Sequence, residues 1–108
     1  MKEIKAVIRE QKLAPLYAML RSRPDFPGMV VSKAEMYTAG PTDDTQHTIR
    51  QELTDHVRRC RLELVVPDES ALPLFEAIVA GLAKGAAGDS RVWISDVERV
   101  SFVHKTSP

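Results

Sequence analysis

Apolar and polar side chains alternate twice along the chain, and a helix-like pattern and a second apolar stretch follow each time. Alternation with a period of two is typical of a strand with one buried face. In the first half it predicts a strand over Lys2–Arg9, with the even-numbered side chains on the buried face. Leucines at helical spacing then predict a helix over Leu13–Arg21, and Met29–Tyr37 is predicted as the next strand.

The second half repeats this order. Arg59–Val66 is predicted as a strand, Ser70–Ala83 as a helix after a turn, and Arg91–Ser95 as a short last strand, with an edge segment over Val97–Val103. The spacing i, i+3, i+7, i+10 predicts that the buried stripe of the second helix consists of Leu72, Phe75, Val79 and Leu82.

Two strand–helix–strand units predict an α+β fold of the ferredoxin-like βαββαβ type, with both helices on one side of an antiparallel sheet. A length of 108 residues fits a single domain over 1–108. The other sheet face must be solvated or buried in an oligomer. Val7, Val65 and Trp93 on or near that face favour burial in an oligomer.

Charge and cysteine content exclude some classes of protein. The chain carries 15 basic and 15 acidic residues, so it has no basic surplus with which to bind nucleic acid. Cys60 is the single cysteine, which excludes an intramolecular disulfide and favours a reducing compartment. The first residues interleave charges with apolar side chains and contain no signal-peptide core, so a cytoplasmic location is expected.

No catalytic or metal-binding constellation stands out, and the protein is expected not to be an enzyme. Asp43 and Asp44 are interpreted as solvated loop residues rather than acid–base catalysts. His47 follows Asp43 by four residues, and His56 precedes Cys60 by four, but two ligands at such spacing do not define a metal site. Cys60 lies on a buried strand face, where a thiol is inert.

Two connecting segments are candidates for function because the predicted core does not need them. Gly85–Arg91 is either a phosphate cradle, built from backbone N–H groups and a cation, or an ordinary turn between helix and strand. Thr38–Arg58 is either a partner-binding loop that orders on contact or a solvated connection.

Four stretches of the chain together resemble the nitrogen-regulatory PII signalling family. They are MKEIKAVI at the start, FPGMVV at the second strand, RLELVVPDE before the second helix, and Gly88-Asp89-Ser90-Arg91 before the last strand. The resemblance covers the whole chain. It implies a compact homotrimer with inward-facing sheets, an adenine-nucleotide pocket in each cleft between subunits, and a long loop at Thr38–Arg58 that contacts a target membrane transporter or enzyme.

The resemblance also implies which residues carry these roles. Those expected to bind the nucleotide are Val30, Glu63, Leu64, Gly88, Asp89, Ser90, Arg91, His104 and Lys105. Those expected in the partner loop are Thr38, Asp43, Asp44, His47, Arg50 and Glu52.

Several positions depart from the family pattern around the phosphates. Arg91 keeps a cation where the family has a lysine, and arginine can grip phosphate at two oxygens. Phe102 and His104 stand where the family has phosphate-binding arginines. Losing two charge-assisted bonds, each worth about 1.5–3 kcal/mol, is expected to weaken triphosphate binding.

Other departures concern the walls of the pocket and the loop. Met36 and Thr38 replace glycines at the start of the loop, so side chains fill space where the backbone normally approaches the ligand. Val30 replaces a threonine beside the adenine. Glu52 stands at the position of the modified tyrosine, which excludes uridylylation there.

The favoured function is a regulatory trimer whose effector is an adenine nucleotide such as ADP, AMP or ATP, with no required cofactor. The alternative is a nucleotide-independent or metal-linked interaction module. The segment PDFPGMVVS is similar to divergent members associated with heavy-metal efflux, and the scaffold also resembles the divalent-cation-tolerance family.

Overall fold

The computed structural model describes residues 1–37, 58–83 and 90–103. The elements in chain order are β1 (Lys2–Arg9), a 3₁₀ turn (Glu10–Lys12), α1 (Leu13–Arg21), β2 (Val30–Glu35), β3 (Arg58–Val66), α2 (Asp68–Leu82) and β4 (Arg91–Asp96). The strands form one antiparallel sheet in the order β2-β3-β1-β4. This arrangement confirms the predicted α+β architecture of ferredoxin-like type.

The central strand β1 fixes which side chains enter the core. Ile4 lies opposite Leu64 of β3 on one side and Ile94 of β4 on the other. Ile8 lies opposite Cys60 in the same register. Because the side-chain period of a strand is two, this register places the apolar even-numbered residues of β1, β3 and β4 on one face.

Both helices cover that face, and their apolar side chains form a single hydrophobic core with those of the sheet. The buried apolar residues are Ile4, Ala6, Ile8, Leu16, Leu20, Cys60, Leu62, Leu64, Val66, Ala71, Leu74, Ile78 and Leu82. The buried faces predicted for β1, α1 and β3 are therefore confirmed.

The buried stripe predicted for α2 is partly wrong. Leu82 is buried and Phe75 packs partly buried against the core, as predicted, but Leu72 is 58% exposed and Val79 is 41% exposed. The residues that enter the core in their place are Ala71, Leu74 and Ile78. The helix α2 also packs closely against α1. A Cβ atom at Gly81 would lie 3.3 Å from Leu16 Cδ1, so the glycine allows the helices to approach closely along this side.

The second helix also begins earlier than predicted, at Asp68 rather than Ser70. Pro67 holds the extended backbone typical of a helix N-cap, with φ −60° and ψ 154°. Asp68 and Glu69 then occupy the first turn, where carboxylates stabilise the positive end of the helix dipole. Asp68 and Glu69, which were predicted to lie in a turn, are thus the start of the helix.

Other boundaries also differ from the sequence prediction, most of all at β2 and after β4. β2 is shorter than Met29–Tyr37 and follows Gly28, whose φ of +99° suits glycine. Val97–Val103, predicted as an edge segment, forms no strand, although the Val97 N–H donates to the Met1 carbonyl at 3.1 Å. Neither helix of the described residues is long and apolar enough to cross a membrane.

Cys60 behaves as a core residue. It is 4% exposed, and burial raises the pKa of its thiol. A buried thiol with a raised pKa is a poor nucleophile, because the thiolate is the reactive form.

Ile78 and Val79 are adjacent on α2 but differ in burial, so they form a matched pair for testing the core. We expect Ile78→Ala to lower the free energy of unfolding by about 2–5 kcal/mol, because it leaves a cavity in the core. Val79→Ala should cost less than about 1 kcal/mol, because its side chain is largely solvated. Urea denaturation at one fixed protein concentration measures both, and equal losses would contradict the assigned rotation of α2.

The thiol of Cys60 should be protected by the fold. We expect a disulfide reagent at pH 8 to label the native protein far more slowly than the urea-unfolded protein, because burial both blocks access and disfavours the thiolate. Absorbance of the released chromophore follows the reaction, and Cys60→Ser provides the blank. Labelling at the same rate in both states would contradict a buried Cys60.

Candidate ligand site on the open face

The sheet face opposite the helices, called here the open face, is rich in basic residues. Its charged side chains on β1, β3 and β4 are Glu3, Lys5, Arg9, Arg59, Arg61, Glu63 and Arg91. Five of these are basic and two are acidic, a surplus of three on one face of a chain whose formal net charge is zero. A surface with this surplus attracts anions.

A shallow trough of about 350 Å³ crosses the open face; we call it the Arg91 trough. Residues from all four strands and from the position after β2 line it: Val7, Ala34, Glu35, Met36, Arg61, Arg91 and Trp93. Val7 lies between Arg61 and Arg91 in the sheet register. The two arginines therefore stand on strands that flank β1, with their backbones about 10 Å apart.

The two arginines of the trough differ in their partners. Arg61 Nε lies 3.0 Å from Glu63 Oε1, so part of its charge is already compensated. Arg91 is exposed and forms no ion pair with the residues that the structure describes. A guanidinium in this state can donate charge-assisted hydrogen bonds to an incoming anion.

The rest of the trough lining is mainly apolar. Val7 and Met36 are half-buried, and Trp93 remains 40% exposed. Large apolar side chains beside two guanidinium groups suit a ligand that combines a flat apolar group with an anionic group.

A second cavity, of about 490 Å³, lies beyond Ala34 at the end of β2 and β3. It is lined by Glu10, Lys33, Ala34, Glu35, Arg58 and Arg59. Arg59 is 5% exposed and lies opposite Arg9 across the β1–β3 pair. Like charges in direct opposition raise the local positive potential.

Glu35 lines both cavities and also accepts a hydrogen bond from Tyr37, the residue before the Thr38–Arg58 connection. The Tyr37 hydroxyl donates to Glu35 Oε2 at 3.1 Å, and this bond, with the nearby negative charge, raises the pKa of Tyr37. Glu35 also lies opposite Arg58 in the sheet register. The two ends of the long connection therefore start beside the cavities.

The structure separates the nucleotide-binding residues that the sequence predicted. Arg91 lines the trough, and Ser90 precedes it at the start of β4. Val30 and Glu63 are paired across β2 and β3, on the open face but outside the trough lining. The Leu64 side chain is 3% exposed in the helix-side core, so only its backbone could meet a ligand on the open face.

Strand order explains this separation. β2 and β4 are the two edges of the sheet, so Val30 and Arg91 lie about 14 Å apart across its width. The remaining predicted residues lie outside the described ranges. They are Gly88, Asp89, His104 and Lys105 for the ligand, and Thr38, Asp43, Asp44, His47, Arg50 and Glu52 for the partner loop.

Five trough residues were missed as site residues at the sequence level: Val7, Ala34, Glu35, Arg61 and Trp93. The alternation of β1 and β3 already placed Val7 and Arg61 on the face opposite the core, and Trp93 follows Arg91 by two positions. Alternation does not specify which strands pair, and that pairing brings Val7 and Arg61 into the row of Arg91, with Trp93 in a neighbouring row. Among the described residues, no group of three or more His, Cys, Asp or Glu side chains is placed to hold a metal ion.

Comparison with known proteins gives a consistent result. The family model described as "Nitrogen regulatory protein P-II" matches residues 1–107. Proteins of that name are similar at 29% identity in Pasteurella multocida, 28% in Porphyra purpurea and 27% in Rhizobium meliloti. Each similarity spans 100 residues, which is 93% of this chain and 88% of the relative. With a match of this extent and a fold of the expected type, the chain belongs to the nitrogen regulatory protein P-II family.

Proposed function

We propose that the protein is a regulatory signal-transduction trimer that binds an adenine nucleotide and controls a target protein through the Thr38–Arg58 loop. The observation that carries this proposal is Arg91: an exposed guanidinium without an ion-pair partner among the described residues, in a trough with a second arginine and an apolar wall. No cofactor and no catalytic step are part of the proposal.

The trough offers the two kinds of contact that a nucleotide needs, one for its phosphate groups and one for its uncharged part. Arg91 and Arg61 can receive phosphate oxygens, with Arg91 as the stronger contact because Arg61 is shared with Glu63. Val7 and Trp93 offer apolar surface for an uncharged part of the ligand.

The apolar side chains on the open face support the proposed homotrimer. Val7 and Val65 are half-buried and Trp93 is 40% exposed, an apolar presence that an isolated sheet face does not require. A neighbouring copy could also bring its Val30 to the trough of the next subunit, whereas within a single chain Val30 and Arg91 lie on opposite edges of the sheet. The ligand would then lie in the cleft between subunits.

The position of the loop ends supports a link between ligand and target. The Thr38–Arg58 segment connects β2 to β3, and Glu35 and Met36 at its start line the trough. A ligand that binds more tightly to one arrangement of this segment shifts the population toward that arrangement. The target would be a membrane transporter or an enzyme, met in the cytoplasm.

Calorimetric titration with AMP, ADP and ATP tests the nucleotide proposal. We expect Arg91→Ala to weaken the tightest of these interactions by about 10- to 150-fold, because a charge-assisted hydrogen bond is worth about 1.5–3 kcal/mol. Arg21→Ala is the matched control, since Arg21 lies on α1 over the Tyr17 ring, on the other side of the sheet.

Equal weak heats for every nucleotide and variant would contradict nucleotide binding. A thermal-melt screen of nucleotides against divalent metal ions then addresses the alternative, because a ligand that binds the native state raises the melting temperature. Stabilisation by a metal ion alone would favour the metal-linked module.

The proposed trimer is tested separately by the mass of the protein in solution. Light scattering coupled to gel filtration should give a mass three times that of the 12.0 kDa chain. Trp93→Glu should shift the mass toward a single chain, because it would bury a charge in the interface, whereas Leu72→Glu, on the exposed side of α2, should leave the trimer intact. A single-chain mass for the unaltered protein would contradict the trimer.

A further inference from the structure

Arg61 enters the Arg91 trough with one partner already in place. Its Nε atom lies 3.0 Å from Oε1 of Glu63. Glu63 follows Arg61 by two positions on β3, so both side chains belong to the open face. Arg61 lines the trough, whereas Glu63 lies outside the trough lining. Among the residues that the structure describes, Glu63 is the one carboxylate within ion-pair distance of Arg61.

We propose that Glu63 competes with the ligand for the guanidinium group of Arg61 and thereby limits how strongly the trough holds multiply charged anions. This inference rests on the nucleotide-binding function proposed above. It gives Glu63 a role other than the ligand contact that the family resemblance implies. Glu63 acts on the ligand through Arg61, from outside the trough.

Charges of alternating sign lead along the open face to Arg61. Lys5 Nζ lies 3.4 Å from Glu3 Oε1, and Lys5 is directly opposite Glu63 in the β1–β3 register. Glu63 therefore stands between two cations, Lys5 and Arg61, and opposite charges in such positions compensate one another. Of the two arginines in the trough, Arg61 is thus the one with compensated charge.

Compensation of Arg61 affects ligands according to their charge. Arg61 and Arg91 lie on the two strands that flank β1, with Val7 between them in the register. Long side chains from these two positions can donate charge-assisted hydrogen bonds to the same phosphate group. The electrostatic energy of such a contact is proportional to the product of the two charges. A partly compensated Arg61 therefore lowers the affinity for ATP more than the affinity for AMP.

A purely structural role for the ion pair predicts the opposite result. If Glu63 only held the guanidinium group of Arg61 in place, loss of its charge would weaken the binding of every nucleotide. The side chains of Arg61 and Glu63 are 44% and 36% exposed, and ion pairs at such exposure contribute little to order. Competition for the charge of Arg61 is therefore the larger effect of Glu63.

The experiment compares the unaltered protein with Glu63→Gln by calorimetric titration with AMP, ADP and ATP, without divalent ions and at physiological ionic strength. Glutamine keeps the size and one acceptor oxygen of the side chain and removes its charge. We expect Glu63→Gln to tighten AMP binding by about threefold and ATP binding by about tenfold.

Two further variants separate competition at Arg61 from a general change in charge. Glu3→Gln is the matched control, because it removes the same charge from the same face, about 14 Å from Arg61 and beyond the range of unscreened electrostatics. We expect it to change ATP binding by less than about twofold. In an Arg61→Gln background, Glu63→Gln should also change ATP binding by less than about twofold, because the group for which Glu63 competes is absent.

The outcomes that would overturn the inference are distinguishable from a failure of the proposed function. Weaker binding to Glu63→Gln would show that the ion pair only positions Arg61. An equal gain for AMP and ATP, or an equal gain in Glu3→Gln or in the Arg61→Gln background, would show that Glu63 does not act through Arg61 on ligand charge. Nucleotide binding itself stands in each of these cases. If neither the unaltered protein nor any variant binds a nucleotide, the proposed function fails and this inference fails with it.

Discussion

The pairing of β1 with β3 is the constraint on which the other features of this structure depend. Eight residue pairs from Lys2–Val66 to Arg9–Arg59 fix the register, and a slip of one residue would exchange the two faces of the sheet. The same register places Ile4, Ala6 and Ile8 under the helices and Val7 in the trough. The hydrophobic core and the candidate ligand site are thus opposite sides of one set of hydrogen bonds.

The two faces of the sheet differ in how many substitutions they tolerate, and the reason is physical. Burial of apolar residues under α1 and α2 stabilises the fold, so those positions tolerate few changes. The open face is not needed for that core, and its basic surplus attracts anions. Chemistry can therefore vary on this face, as Met36 and Arg91 illustrate, while the scaffold of the P-II family is retained.

The proposed link between ligand and target depends on where the long connection meets the sheet. Glu35 and Arg58 are opposite each other where the chain leaves and re-enters the sheet, and Glu35 lines both cavities. Events in the trough are therefore adjacent to both ends of Thr38–Arg58. Coupling across such a short distance needs only local contacts, without a relay through the core.

The sequence by itself determined the order of elements, the limits of β1 and α1, and the buried faces of β1 and β3, because periodicity is a local property of the chain. The sequence also indicated Arg91 as a candidate ligand-binding residue. Only tertiary structure decided that Leu72 and Val79 are exposed, since the packing of α2 places Ala71, Leu74 and Ile78 in the core instead. Strand order likewise brought Arg61, Val7 and Trp93 beside Arg91 and separated Val30 from them. Alternation along one strand cannot specify which strand becomes its neighbour.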